Sequence, residues 1–146
     1  MADASPPLVA PPQGGWDSEH LARQAAEACD DRKAVDIRLI RVEEISSLAD
    51  WFVIASGLSD VQVRAIARSV EDRLEQDHGR LPLRREGQSE GRWVVLDYGE
   101  LIVHVLAAQE RAYYDLESFW GHGQLERYVS GALPRVVEAG AGVRDA

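Results

Sequence analysis

The stretch Ala55-Ser56-Gly57-Leu58-Ser59-Asp60 holds residue types from which a phosphate cradle can be built. The apolar run Trp51 to Ala55 precedes it, and Ser56 and Gly57 break that run. Ser59 then opens a helix with Gln62 three residues on, the spacing of a capping box. A strand, a glycine turn and a helix N-terminus gather free N–H groups at one point, which suits an anion. Against this, the stretch lacks the Gly-Lys-Ser/Thr ending of a P-loop and the three-glycine dinucleotide fingerprint. A plain strand-to-helix connection is the favoured reading, and a nucleotide-binding or nucleotidyl-transfer enzyme is the competitor.

Nucleotidyl transfer asks for a pair of acids close together to hold metal ions. Asp36-Ile37-Arg38 has the strand context, but Arg38 stands where the second acid would be. Asp50 is isolated, and Asp30-Asp31 reads as a solvated pair at a helix end. His20, His78, His104 and His122 have no ligand spacing with Cys29, so no zinc site is expected. No Gly-X-Ser-X-Gly elbow is present, and nothing pairs a nucleophile with a base. No catalytic residue, metal or cofactor is expected. What stands out instead is aromatic and charged material toward the C-terminal half: Trp93, Asp97, Tyr98, His104, Tyr114, Glu117 and Trp120. Such residues make protein-binding hot spots when exposed and core when buried.

The elements that must position these residues follow from periodicity. Asp17 or Ser18 caps a helix to about Asp31, with Leu21, Ala25 and Ala28 on one stripe. Residues 34–42 alternate as a strand with Val35, Ile37, Leu39 and Arg41 on one side. A helix from Ser59 to about His78 carries Val63, Ile66, Val70 and Leu74 on one face, and Gly79 ends it. Residues 81–87 form a weaker edge strand, since they carry Pro82 and several charges. Residues 93–106 read as a hairpin turning at Gly99-Glu100, pairing Tyr98 with Leu101, Leu96 with Val103 and Val94 with Val105. Its other face carries Trp93, Val95, Asp97, Ile102, His104 and Leu106. A last helix, about Gln109 to Trp120, places Ala112, Tyr113, Leu116, Phe119 and Trp120 on an apolar arc, with Tyr114 opposite and Glu117 beside or outside it. The order implies an α/β or α+β domain, a mixed sheet of about five strands packed by helices.

The chain as a whole sets limits. Its 146 residues make one domain, and 45% of them are apolar, enough for an ordinary core. Sixteen Lys and Arg against 25 Asp and Glu give a net charge of −9, which argues against autonomous nucleic-acid binding and suits a basic protein partner. The single cysteine permits no internal disulfide and fits a reducing compartment. No run of about 18 apolar residues suggests a membrane span. Residues 1–15 hold four prolines and no arginine, reading as a flexible tail rather than a signal or transit peptide. The folded domain is expected over 16–129, with 130–146 a second flexible tail.

From about Leu21 to Trp120 the chain resembles the ribosomal silencing factor, or Iojap-related, family. The resemblance rests on VDIRLIRV, SSLADWFVIASGLSDVQVRAIA, WVVLDYGELIVHV and RAYYDLESFW taken together. It implies a small fold related to nucleotidyltransferases but without their catalytic acids. It also implies a cytoplasmic translational repressor, not an enzyme, that binds ribosomal protein fourteen of the large subunit. Joining of the subunits would be blocked and translation damped when nutrients are scarce. Carried over by motif, the contacts implied are Trp93 and Asp97 in the hairpin and Tyr114 and Glu117 in the last helix. His104 joins them because it shares the Trp93 and Asp97 face. A role in large-subunit assembly could use the same surface, and a homodimer of the free protein stays open. The Pro-rich first fifteen residues depart from compact family members.

Overall fold

The computed structural model describes residues 17–42, 49–119, 124–129 and 135–137. In chain order the elements are α1 (Ser18–Asp31), β1 (Val35–Arg41), β2 (Trp51–Gly57), α2 (Asp60–His78), β3 (Arg84–Glu86), β4 (Trp93–Asp97), β5 (Leu101–Ala107), α3 (Ala108–Tyr114), α4 (Leu116–Phe119), β6 (Gln124–Arg127) and β7 (Arg135–Val137). The strands form one mixed sheet in the order β3-β4-β5-β2-β1-β6-β7. Among the described residues only β2 and β5 pair in parallel.

The α/β architecture matches the expectation, but the sheet has seven strands rather than about five. The two additional strands follow the last helix. β6 adds to the free side of β1, and β7 lies beyond the residue-129 boundary. Both are only three or four residues long, too short to display a period of two.

The Asp17 side chain caps α1 by accepting from the His20 N–H at 2.8 Å. Leu21, Ala22, Ala25, Ala26, Ala28 and Cys29 are its buried face. α2 packs beside it through Val63, Ile66, Ala67, Val70 and Leu74 and ends on Gly79 in the left-handed region. Together they cover one side of the sheet, against Ile37, Leu39, Val53, Val103 and their neighbours. The hairpin has the expected register, with Leu96 opposite Val103 and Val94 opposite Val105. The Tyr98 N–H donates to the Leu101 carbonyl at 2.8 Å, and Gly99 sits at φ +95° as the turn requires.

A second, smaller cluster lies on the opposite side of the sheet: Ile40, Val42, Ala49, Phe52, Ile54 and Leu106, with Trp93, Ile102, Leu116 and Leu125 packed around it. It explains why every residue of β2 is buried: that central strand is covered on both faces.

β1 departs from simple alternation. Ile37 and Leu39 are buried as expected, but Val35 is 42% exposed. A register shift between Val35 and Arg38, with Asp36 at φ +52°, turns the strand's first residues off the pleat. The last helix also differs. It stops at Tyr114, Asp115 takes φ +50°, and a short α4 restarts at Leu116. The angular wheel over 109–120 therefore loses phase at Asp115. Ala112 and Tyr113, expected on a buried arc, are exposed, and the buried residue of α3 is Arg111. Trp120 lies outside the described residues.

Candidate functional site: an aromatic surface anchored by Arg111

Ser56 and Gly57, expected to break the strand, continue it to the end of β2, paired with Leu106 and Ala107. A Cβ on Gly57 would stand 2.9 Å from Val63 Cγ2, so glycine lets β2 and the first turn of α2 pack closely. Ser59 Oγ accepts from the Gln62 N–H at 3.1 Å, and Gln62 Oε1 accepts from the Leu58 N–H at 2.7 Å. Asp60 Oδ1 takes the Val61 N–H, and the Ser59 carbonyl takes that of Val63. The N–H groups of Leu58, Val61, Gln62 and Val63 are thus engaged by the chain itself. The Gln62 amide also donates to the carbonyls of Arg32 and Lys33, tying the entry of β1 to α2. Ser56, buried in the sheet, accepts from Arg111 at 3.0 Å.

The other chemical candidates disperse in the same way. Asp36 faces Arg38 at 2.9 Å, Arg111 at 3.6 Å and Arg127 at 4.0 Å, and Glu117 meets the same Arg111 Nη2, so the two acids share a guanidinium. Partial burial pushes its carboxyl up, but the Arg38 hydrogen bond and the charges of Arg111, Arg38 and Arg127 outweigh that, holding it below the usual range. Burial pushes the Cys29 thiol up to about 12, far from a reactive thiolate at neutral pH. Among the described residues no group of three or more His, Cys, Asp or Glu could hold a metal ion.

Three of the five contact residues expected from sequence do come together. Trp93 on β4 and His104 on β5 project from the sheet face opposite α1 and α2, and the Trp93 Nε1–H donates to His104 Nδ1 at 3.1 Å. Tyr114 lies against Trp93, with ring centroids 4.8 Å apart, and Tyr113 meets Tyr114 edge-on at 4.9 Å. Phe52 backs His104 at 5.4 Å. The row runs from a buried base, Phe52, to an exposed tip, with Tyr114 52% and Tyr113 81% accessible. Burial lowers the His104 pKa to about 4, so the ring is neutral at physiological pH. Neutrality leaves Nδ1 free to accept from Trp93.

The remaining two are placed differently. Asp97 is four residues from Trp93 on the same strand, about 13 Å away at ~3.3 Å per residue. Its Oδ1 accepts from the Gly99 N–H at 2.8 Å, so it also serves the hairpin turn. Glu117 faces inward, accepting from Arg111 Nε at 2.8 Å and Nη2 at 2.5 Å.

Sequence reasoning missed two members. Tyr113 was assigned to the core by a helical wheel that the break at Asp115 invalidates. Arg111 is only 8% exposed and reaches Glu117, Ser56 Oγ and, at 3.5 Å, the Val35 carbonyl. Arg111 and Glu117 are six residues apart, a spacing that pairs no residues on an unbroken helix. Only the left-handed Asp115 brings them together.

The chain is an α/β domain with an aromatic cluster, Trp93, His104, Tyr113 and Tyr114, on one face of its sheet. Its family is the ribosomal silencing factors, to which the chain belongs: the family model described as "Ribosomal silencing factor during starvation" matches residues 16–141. The ribosomal silencing factor of Bacillus subtilis is 45% identical over 105 residues, 72% of this chain and 88% of that protein. The chloroplastic Iojap protein of Zea mays is 32% identical over 103 residues, 70% of this chain but 44% of its own length. A crystal structure of a Chromobacterium violaceum protein superposes with a TM-score of 0.70 at 33% identity, covering 85% of this chain and 96% of that one.

Proposed function

We propose that this chain represses translation by binding the large ribosomal subunit through ribosomal protein fourteen, so that the small subunit cannot join. The observation that carries the reading is the pair of exposed tyrosines, Tyr113 and Tyr114, held on the Trp93–His104 stack. Exposed aromatics on a rigid support supply contact area at low entropic cost, the usual make-up of a hot spot. In this reading Tyr114 and Trp93 form the centre, Tyr113 extends it, His104 and Glu117 support it, and Asp97 lies at the rim. The net charge of −9 complements a basic ribosomal protein and speeds encounter. The site of action is the cytoplasm, under nutrient limitation. No helix among the described residues is long and apolar enough to cross a membrane.

Sedimentation of extracts from starved cells tests the proposal. The protein should co-migrate with free large subunits and be depleted from joined ribosomes. Recovery mainly with small subunits would overturn it.

A further inference from the structure

Tyr113 and Tyr114 occupy the last turn of a seven-residue helix. A helix so short is marginal on its own, and its terminal turn frays unless something ties it down. α3 begins without a side-chain cap, and its C-terminal residue is followed by a left-handed aspartate rather than a glycine. What ties it down is Arg111. The guanidinium forks to Glu117 across the Asp115 break, bonds Ser56 Oγ in the central strand and reaches the Val35 carbonyl beside the β1 bulge. It therefore joins α3, α4, β1 and β2 at one point. A lysine could not do this, since its ammonium lacks the planar fork.

We infer that Arg111 is the positioning residue of the aromatic surface, fixing the angle at which Tyr113 and Tyr114 leave the sheet, and that Glu117 acts through Arg111 rather than by touching the partner. The inference rests on the proposed large-subunit binding by this surface. It assigns to a buried ion pair an effect on affinity that burial alone would not suggest.

A double-mutant cycle tests it. Glu117→Gln is compared in the wild-type chain and in an Arg111→Gln background. Affinity for purified large subunits, thermal unfolding and the near-ultraviolet circular dichroism of the Trp93–Tyr114 pair are read for each, with Trp93→Phe assigning the last signal. Glu117→Gln should weaken binding about tenfold in the wild-type chain and no further in the Arg111→Gln background. The aromatic dichroism should fall in both single variants while the proteins stay folded at the assay temperature. An equal affinity loss in both backgrounds would mean that Glu117 touches the partner itself, and overturns the inference. Arg111→Lys covers the case in which Arg111→Gln does not fold: it should fold, bind more weakly and show the reduced dichroism, and wild-type affinity there is equally fatal. Tyr114→Ala runs alongside. If it binds normally, the surface itself is wrongly placed and the inference falls with it. If it binds weakly while the Glu117 losses are equal, only the positioning role fails.

Discussion

Tyr114 is half exposed, with its ring tilted 50° against Trp93, so it can lose a partner without opening the core. Truncating an interface anchor of this kind costs on the order of 2 kcal/mol of binding, or about thirtyfold in affinity. Tyr114→Ala should therefore weaken large-subunit binding by that factor while its stability falls by about 1–3 kcal/mol, the scale of its two aromatic contacts, with Trp93 and Tyr113. Titration of large subunits together with thermal unfolding checks both halves. His104 makes a different statement at the same scale. Its folded pKa of about 4 lies below the unfolded value of about 6.5. The unfolded chain thus binds a proton that the folded chain refuses as pH falls from about 6.5 to 4, and stability declines across that window. Above it both states are neutral and the group contributes no slope. The full loss has an upper limit of about 3 kcal/mol. His104→Gln should flatten unfolding free energy between pH 6.5 and 4.5 relative to the wild type. A slope as steep as the wild type's would show that other groups carry it.

The elements show how local chemistry decides larger placement. Gly57→Ala would press a methyl group to 2.9 Å from Val63 Cγ2, at the contact between β2 and α2. Overpacking of this kind costs about 1–3 kcal/mol, and chemical denaturation of the purified variant should show it as a lower midpoint with an unchanged slope. Neutral stability there would mean that the strand–helix contact is looser than drawn. The elements that sequence made legible are those with a clean period and a chemical stop: α2 between Ser59 and Gly79, the 93–107 hairpin around Gly99, and α1 from Asp17. Their signals are local. Two of the failures are places where one residue changes the phase of the pattern. Asp36 at positive φ exposes Val35, and Asp115 at positive φ divides the last helix and exposes Tyr113. Aspartate adopts that conformation often enough to be permitted but too seldom to be foreseen. β6 and β7 escaped for another reason: they are only four and three residues long, and β6 pairs with the distant β1 while β7 pairs only with β6, so nothing in their few residues announces a strand. At the site, motif resemblance brought Trp93 and Tyr114 to attention and the hairpin's face added His104, but Arg111 became visible only once the Asp115 break was known.

At the scale of the whole molecule, the proposed function divides the work: the surplus of acidic residues would govern approach, and the aromatic surface would govern retention. The net charge of −9 is spread over a small domain, and many of its carboxylates already meet arginines: Arg73 alone faces Glu27, Asp31 and Asp77, and Arg80 pairs with Glu100. A one-to-one pair such as Arg80–Glu100 adds little to the distant field, whereas the three acids around Arg73 outnumber it, so the field felt by a basic partner comes from such unbalanced charge. That field reaches about 10 Å at 0.1 M salt and about 8 Å at physiological ionic strength. The tyrosines act only on contact, where little solvent remains between the surfaces. The association rate with large subunits should therefore fall steeply as salt rises from about 0.05 to 0.5 M, while the dissociation rate changes by less than about threefold. Tyr114→Ala should show the reverse, a faster dissociation with an association rate near the wild type's, as is usual for contact residues. Stopped-flow or surface-based kinetics at several salt concentrations separate the two rates. An association rate indifferent to salt would remove electrostatic steering from the account and leave the aromatic surface to explain recognition by itself.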